Sequence, residues 1–233
     1  LAVAEGLMSL TIIQLRSPGT PYLMGCNVSG FDMATSTMSI AAPEMRLGLA
    51  AQAEVVQSFG LPTWGLAGST DAKSIDAQAG IESAFSILAQ GLAGLNLIHD
   101  VGYMDMAMVC SAEMLVLGDE VIGMTKHFIR GVDVSAETLA RDVIEKVGPG
   151  GHFLDQDHTF KHFRNELWMP RLMTRQPYDI WSQAGAKDMS QRVAERVKEI
   201  LETHPVPRLP DKTAAALEQI RKKGEKELIS LQI

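Results

Sequence analysis

The chain has 233 residues, 46% of them hydrophobic, and a formal net charge of −7. This length buries one sizeable core but is short for several domains. The composition argues against a nucleic-acid partner, because phosphate binding needs clustered Lys and Arg and no such cluster precedes the C-terminal segment. No apolar run is long enough to cross a bilayer. We therefore expect a cytoplasmic protein with no secretory signal and no membrane partner.

The two cysteines indicate the redox compartment of the protein, and the first residues indicate whether the chain is complete. Cys26 and Cys110 lie far apart in the sequence and form neither a disulfide framework nor a zinc-knuckle pattern. They suit a reducing compartment. The sequence begins at Leu1, without Met, in a segment with the pattern of a helix interior. We therefore expect a fragment, or a truncated or processed product.

Three similar units follow one another from the N-terminus. Each has a short, unbroken apolar stretch, a loop with Gly and polar residues, and an amphipathic helix. The apolar stretches are residues 22–26, 63–67 and 95–99. Their length and continuous hydrophobicity predict buried parallel strands.

Caps and periodicity predict the helices between these strands. The first begins at Pro43, ends at Gly60 and buries one face; that face contains Met45, Leu49, Val56 and Phe59. Asp76 caps the second helix, whose predicted inner face is Ile81, Phe85, Leu88 and Leu92. Ser111 caps the third helix, whose predicted inner face is Met114, Leu117, Val121 and Phe128.

The pattern changes after Arg130. Ser135 caps a helix that Gly148 closes, an irregular polar and aromatic stretch covers residues 151–175, and a helix follows from about Asp188 to Thr203. Residues 204–210 form a stiff Pro-rich linker before a charged surface helix at 211–228. We predict a partial barrel at 1–130, a helical region packing on it at 131–204, and the linker with its charged helix at 205–233.

Repeated strand–loop–helix units imply right-handed crossovers and a parallel sheet. We therefore predict an α/β fold in which about three parallel strands with their helices form part of a (β/α)8 TIM-type barrel, followed by C-terminal helices. A complete barrel of this type has eight strands and about 250 residues. The other strands must come from missing sequence, a second chain or an unusual assembly, because an open parallel edge is a liability.

Active sites of such barrels form from loops at the C-terminal ends of the strands, here residues 27–42, 68–76 and 99–110. The second loop is the most polar and contains Ser69, Thr70, Asp71, Lys73, Ser74 and Asp76. Asp71 and Lys73 can pair with each other, or Lys73 can bind a substrate carboxylate. The alternative is that Ser74 and Asp76 cap the next helix and the other side chains are solvated.

Aromatic and polar residues accompany the other two loops. Phe31 and Asp32 lie in the first, His99 and Tyr103 in the third, and Trp64 in the second strand. Aromatic faces at a barrel mouth can surround a cation. Packing in the core is the alternative, at least as strongly for Phe31 and Trp64.

Histidine spacing raises the question of a metal. His158 and His162 are four residues apart, which places them on one face of a helix, and His152 is nearby. The sequence offers no clear third ligand, since Cys26 and Cys110 complete no recognisable set. We therefore predict no metal.

Several segments resemble the trimethylamine methyltransferase superfamily. The main one is Gly-Ser-Thr-Asp-Ala-Lys-Ser-Ile-Asp-Ala-Gln-Ala-Gly-Ile-Glu at residues 68–82. Others are residues 31–33, 42–44, 102–105, 118–120 and 158–170. The likeness covers residues 1 to about 204, and several motifs in the right order make it more specific than any one of them.

The resemblance implies the C-terminal half of a barrel enzyme that moves a methyl group from a methylated amine to the cobalt of a corrinoid (cobalamin). A partner protein carries that corrinoid, and no cofactor is bound permanently. Trimethylamine enzymes of this family carry pyrrolysine near the positions of Ser69 and Thr70, which are ordinary residues here. The resemblance therefore implies the branch typified by glycine betaine methyltransferase, acting on a quaternary amine.

The family resemblance and the loop residues together give the candidate site residues. The catalytic candidates are Asp71, Lys73 and Glu82, and the substrate-binding candidates are Phe31, Asp32, Trp64, Ser69, Thr70, His99 and Tyr103. Aromatic faces and the carboxylates of Asp32 and Asp71 hold the ammonium group, which has no N–H to donate. A betaine carboxylate meets Lys73 or the N-terminus of the helix after Asp76.

Other functions stay open. One is a non-catalytic half-barrel that assembles with a missing N-terminal half or with itself as a homo-oligomer. Another is a trimethylamine methyltransferase, a zinc-dependent methyltransferase or a different barrel lyase.

Overall fold

The fold is described from a computed structural model, which covers residues 1–230. Its helices are α1 (Ala2–Arg16), α2 (Pro43–Ser58), α3 (Ala77–Leu92), α4 (Ala112–Ile129), α5 (Ala136–Leu139), α6 (Arg141–Val147), α7 (Asp157–Glu166), α8 (Tyr178–Gln183), α9 (Met189–Thr203) and α10 (Asp211–Ser230). Its strands are β1 (Phe31–Asp32), β2 (Thr37–Met38), β3 (Trp64–Leu66), β4 (Leu97–His99), β5 (Tyr103–Met104) and β6 (Val109–Cys110).

The three predicted strand segments lie side by side in chain order. Strands β3 and β4 pair in parallel, with Leu66 opposite His99. Met24 forms a parallel bridge with Thr63, which adds the first segment on the other side. The predicted α/β class is confirmed, although the strands are shorter than expected. Within residues 1–230 the sheets have two strands each and none closes into a barrel.

Two of the segments predicted as loops contain short hairpins. Strand β1 pairs antiparallel with β2, and β5 pairs antiparallel with β6. Each hairpin lies between a parallel strand segment and the helix that follows it, α2 or α4. The hairpins therefore project from the C-terminal ends of the parallel strands, where the site was expected.

Helices α2 and α4 bury most of their predicted faces. Leu49 and Met114 are among the buried residues, but Phe59 and Phe128 are 49% and 64% exposed, so their predicted burial was wrong. Phe59 lies beyond the end of α2. Helix α4 packs on α3 at Gly91, next to the end of α3. The α4 residues at this contact are Thr125 and Ile129, so Phe128 is not part of it.

Helix α3 buries the face opposite to the predicted one. Ile81, Phe85 and Leu92 are 68%, 49% and 62% exposed. The buried residues are instead Ala79, Ser83, Ser86, Ile87 and Gln90. Small side chains on this face permit close packing, and two of its polar groups are bonded: Ser86 Oγ accepts the N–H of Gly68, and the amide of Gln90 donates to the carbonyl of Arg46. Among the described residues, Ser83 Oγ and Gln90 Oε1 on the same face have no hydrogen-bond partner.

The segment after α4 differs from its prediction in detail. The expected helix from Ser135 to Gly148 is interrupted at Ala140, which has a left-handed φ of 46° and separates α5 from α6. A helix, α7, forms within the stretch expected to be irregular. Helices α9 and α10 occupy the ranges predicted for them, while α8 was not predicted.

A buried glutamate fixes the segment that follows α7. Glu120 on α4 is 4% exposed, and its Oε1 accepts the N–H groups of Arg171, Leu172 and Met173 at 2.9–3.0 Å. Arg192 on α9 donates to the carbonyl of Leu172 at 2.7 Å. These bonds attach the helical region to α4, because three backbone donors, that of Leu172 buried, depend on one carboxylate.

The described part of the chain divides into two compact units, residues 1–197 and the residues from 198 onward. A main core of the first unit contains Ala72, Ala79, Met104, Met114, Leu117, Leu172 and Val193. In the second unit Arg221 forms ion pairs with Glu218 and Glu225 on α10. Among the described helices, none combines the length and the apolar character needed to cross a membrane.

Candidate functional site

The second and third loops run alongside each other beyond the parallel strands. The N–H of Thr70 donates to the carbonyl of Tyr103 at 3.0 Å, and the N–H of Asp105 donates to the carbonyl of Ala72 at 3.2 Å. Ser69 and Thr70 are fully buried. Strand pairing thus continues past β3 and β4 as an extended ladder, which fixes residues 69–72 against the β5–β6 hairpin.

The carboxylate of Glu82 closes the second loop. Its Oε2 accepts the hydroxyl of Thr70 and the N–H of Asp71, the latter at 2.8 Å, and its Oε1 accepts the side-chain amide of Gln78 at 2.8 Å. The hydroxyl of Thr70 in turn accepts the N–H of Ala72 at 2.9 Å. One side chain from the second turn of α3 therefore holds two consecutive loop residues.

The carboxylate of Asp71 joins the second loop to the first. It accepts the hydroxyl of Ser39 and the N–H groups of Ile40 and Ala41, at 3.2 and 3.4 Å for the two backbone donors. Ser39 Oγ also accepts the N–H of Ala42 at the start of α2. Of the two alternatives for Lys73, pairing with the carboxylate of Asp71 is not the one observed, because Ser39, Ile40 and Ala41 donate to that carboxylate instead.

Lys73 binds the third loop. Its Nζ lies 3.2 Å from Oδ1 of Asp105 and donates to the backbone carbonyl of Asp71 at 2.7 Å. Its side chain is 67% exposed, so the ammonium group stays accessible to an anion from solvent. Asp105, Met106 and Ala107 all have positive φ values of 49–67°. Three such residues in succession are costly, which marks this turn as a constrained part of the site.

A buried arginine lies behind the two carboxylates. Arg46 on α2 is 2% exposed and donates to the carbonyls of Leu66 and Ile40. Burial lowers the pKa of the guanidinium to about 10, while the negative charges of Asp71 and Glu82 oppose that shift. Arg46 was not among the predicted site residues. The available signal was a cation directly after Met45, at the edge of the face of α2 predicted to be buried.

The first hairpin borders a cavity of about 460 Å³. Its lining comprises Gly30, Phe31, Asp32, Met33, Ser39, Ala42 and Glu44. Phe31 is 61% exposed. The N–H of Ala34 and the hydroxyl of Thr35 lower the pKa of Asp32, which keeps that carboxylate ionised. Glu44, from the family-like segment at residues 42–44, lines the same cavity as Asp32, although it was not among the predicted site residues.

Trp64 and His99 form a separate pair on the parallel strands. Their rings are 5.1 Å apart at 42°, and Nδ1 of His99 lies 2.7 Å from Oδ1 of Asp100. A Cβ built on Gly25 would meet the Trp64 ring at 2.7 Å, so glycine is needed for the indole to lie across the first strand segment. The side chain of Tyr103 is partly exposed. Tyr103 contacts the second loop through its backbone carbonyl, which accepts the N–H of Thr70.

At the N-terminus of α3, one of the two positions suggested for a betaine carboxylate, the helix donates to a side chain of the same chain. Oδ1 of Asp76 accepts the N–H groups of Gln78 and Ala79, so the chain's own carboxylate fills that position. These bonds confirm the predicted cap. An external anion at this helix end would compete with the carboxylate of Asp76 for these two N–H groups, which favours Lys73 as the group for a betaine carboxylate.

These features define an α/β protein whose polar site is built from loops after consecutive parallel strands. The family model for trimethylamine methyltransferase matches residues 1–228. A glycine betaine methyltransferase from Desulfitobacterium hafniense is 37% identical over 216 residues, covering 92% of this chain and 45% of the relative.

Two further relatives carry a related name. A trimethylamine methyltransferase from another strain of that species is 35% identical over 223 residues, covering 96% of this chain and 45% of the relative. One from Methanosarcina acetivorans is 36% identical over 203 residues, covering 87% and 41%. This chain therefore belongs to the trimethylamine methyltransferase family, as its motifs predicted, and it spans less than half the length of these relatives.

Proposed function

We propose that the protein containing this chain transfers a methyl group from a quaternary amine such as glycine betaine to the cobalt of a corrinoid carried by a partner protein. Membership of the family over residues 1–228 is the observation that carries the proposal. The relative named glycine betaine methyltransferase supports the quaternary substrate. So do the ordinary residues Ser69 and Thr70, where the trimethylamine branch is expected to carry pyrrolysine.

The reaction needs little acid or base chemistry from the protein. The C–N bond of the ammonium breaks, its electron pair stays on nitrogen, and a neutral tertiary amine leaves. The reduced cobalt of the acceptor supplies the pair that forms the new bond to the methyl carbon. Because the leaving nitrogen already carries its positive charge, no proton is required, and positioning with exclusion of water supplies the rate enhancement.

The cavity beside the first hairpin supports binding of such a cation. A quaternary ammonium has no N–H, so it is held by aromatic faces and by carboxylates at a distance. Phe31 contributes an exposed ring to the cavity lining, and Asp32 and Glu44 contribute carboxylates. Trp64, His99 and Tyr103 remain candidates for the part of the pocket nearer the strands.

The second loop supplies positioning in this proposal. The carboxylates of Asp71 and Glu82 are bonded to Ser39 and Thr70 and to backbone donors, so we assign them to holding the loops in place. Lys73, with its exposed ammonium group, is the group assigned to a betaine carboxylate. Ser69 and Thr70 are buried, so in this proposal they support the loop that carries these side chains.

Methyl transfer to reduced cobalamin, followed by its absorbance change, tests the function on the protein as its gene encodes it. Glycine betaine, choline, tetramethylammonium and trimethylamine are compared as donors. Phe31→Ala and the pair Asp32→Asn with Glu44→Gln are expected to raise KM for the quaternary donors by at least about tenfold, a loss within the range for desolvated cation–π contacts. Phe128→Ala, at an exposed ring on α4, is the matched control. Absence of transfer from every quaternary donor contradicts the proposal.

A second candidate is an assembly role, which the exposed apolar side chains on α3 favour. Ile81, Phe85 and Leu92 lie on the face of α3 that this chain does not cover. In this reading the three parallel strand segments form part of a barrel that another segment or another copy completes. Sedimentation of the purified 233-residue chain separates the possibilities. A well-folded monomer contradicts assembly of this chain with itself.

A further inference from the structure

We propose that Glu137, His158 and His162 form a binding site for a divalent transition-metal ion of the zinc type. The three side chains each offer a ligand atom, and these atoms all lie within 4.8 Å of one another. The proposal is independent of methyl transfer. It concerns helices α5 and α7, whereas the residues assigned to the reaction lie on the loops after the parallel strands.

Two local features create this cluster. His158 and His162 are four residues apart on α7, so their rings face the same side, with centroids 4.4 Å apart. Glu137 lies in the first turn of α5, which α6 separates from α7 in the sequence. The carboxylate of Glu137 supplies the third ligand, a part that neither His152 nor Cys26 nor Cys110 was predicted to fill.

The present contacts show that the ligand atoms already point inward. Nε2 of His162 lies 2.7 Å from Oε1 of Glu137, and Nε2 of His158 lies 2.8 Å from the backbone carbonyl of Glu137. In a tetrahedral zinc site, ligand atoms about 2.1 Å from the ion are roughly 3.4 Å apart. Side-chain rotations at partly exposed residues suffice to reach that separation, because Glu137 is 54% exposed and His162 23% exposed.

The ligand types select the class of ion. Two imidazoles and one carboxylate are a donor set used by zinc and other first-row metals, whereas calcium and magnesium prefer oxygen ligands alone. A neighbouring cavity of about 370 Å³ is lined in part by Asp142 and Asp157, whose carboxylates add negative charge for an incoming cation. That cavity also leaves room for water as a further ligand.

Lys161 competes for the same carboxylate. Its Nζ lies 2.6 Å from Oε1 of Glu137, and its side chain is 67% exposed. An ion entering the site displaces this ammonium into solvent, which lowers the affinity for metal. The bound ion replaces the contacts of Lys161, His162 and His158 with Glu137 by three coordinate bonds that join α5 to α7. Because the ion binds the folded chain, metal should stabilise the fold.

Zinc titration of untagged protein by isothermal calorimetry tests the site, with nickel as a second probe. We expect saturable binding at one ion per chain, a higher Tm in saturating zinc, and reversal of both by a chelator. His158→Ala and His162→Ala should each lower affinity by more than about 100-fold, because removing a ligand costs more than disturbing its outer partners. His152→Ala is the matched control and should bind as the unaltered protein does.

A variant that unfolds can only lose affinity for zinc, so a variant expected to bind zinc more tightly is a stricter test. Lys161→Gln removes the competing cation but no ligand, so it should tighten zinc binding by at least about threefold at low ionic strength. Circular dichroism without metal confirms that each variant is folded. The proposal is overturned if zinc does not bind saturably, if His158→Ala and His162→Ala bind it as well as His152→Ala does, or if Lys161→Gln weakens binding.

Discussion

Oε2 of Glu82 accepts the backbone N–H of Asp71 at 2.8 Å, while the carboxylate of Asp71 faces away toward the first loop. Two acidic residues are thereby linked through a backbone N–H instead of through a shared proton or a cation. The consequence is mechanical: α3 holds the second loop through Glu82, and the second loop holds the first through Asp71. Loss of either carboxylate should disturb both loops.

We predict that Glu82→Ala lowers the free energy of unfolding by about 2 kcal/mol, because it removes three hydrogen bonds of which one involves the buried hydroxyl of Thr70. Gln78→Ala removes only one of these bonds and should cost about 0.5–1 kcal/mol. Urea denaturation measures both values. Equal stabilities of the two variants would contradict the bracing role of Glu82.

Glu120 should be the most sensitive acidic residue outside the loops. Glu120→Ala leaves the N–H groups of Arg171, Leu172 and Met173 without their acceptor, and we expect a loss of about 3 kcal/mol. Glu120→Gln keeps one acceptor oxygen in place and should lose less. Hydrogen exchange at residues 171–173 should accelerate in Glu120→Ala first. Unchanged protection at these amides would show that the carboxylate is not what orders them.

The sequence predicted the parallel strands well because buried parallel strands have a strong local signature. Residues 63–67 and 95–99 are short, apolar and unbroken, and they contain β3 and β4, paired in parallel as expected. The N-cap at Asp76 was predictable for a related reason, since a cap depends on residues within one turn. These features can be predicted because they do not depend on residues far along the chain.

Other features depend on partners far along the chain and were missed or misassigned. The apolar face of α3 was predicted to be buried, but Gly68 and Arg46 bind the opposite, polar face through Ser86 and Gln90. Arg46 itself is buried only because carbonyls of two separate segments converge on it. Periodicity records hydrophobicity along one helix, so it cannot register acceptors supplied by another segment.

The cap at Asp76 should give a pH-dependent contribution to stability. The N–H of Ala79 and the hydroxyl of Ser74 lower its pKa in the folded state from an ordinary value of 3.8. A depressed carboxyl pKa stabilises the fold above the unfolded value and stops doing so as pH falls through the folded value. The Tm difference between the unaltered chain and Asp76→Ala should therefore be full near pH 7 and shrink steadily below about pH 4.

Ser135→Ala provides the control for this experiment, because the cap of α5 is a hydroxyl that does not titrate in this range. Its Tm difference should remain similar while that of Asp76→Ala declines. Thermal melts followed by circular dichroism at several pH values measure both. A Tm difference for Asp76→Ala that is constant down to about pH 2 would refute the role of the ionised cap.

Substitutions at Arg46 test whether the buried positive charge is needed or whether a side chain of similar volume suffices. Replacing a buried ion by a hydrophobic residue of similar size is often neutral or stabilising, which would favour Arg46→Met over Arg46→Lys. Here the guanidinium satisfies carbonyls on two segments, Leu66 and Ile40, and it lies near the carboxylates of Asp71 and Glu82. Methionine leaves both carbonyls unpaired, whereas lysine can reach one of them.

We therefore expect a definite order of stability at Arg46, measured as the free energy of unfolding in urea. Arg46→Lys should lose about 1–2 kcal/mol and Arg46→Met about 3 kcal/mol, because each buried acceptor left unpaired costs about 1–3 kcal/mol. Leu47→Met, at the neighbouring exposed position, controls for the side-chain change alone. If Arg46→Met proved as stable as the unaltered chain, packing and not the paired carbonyls would account for the burial of this arginine.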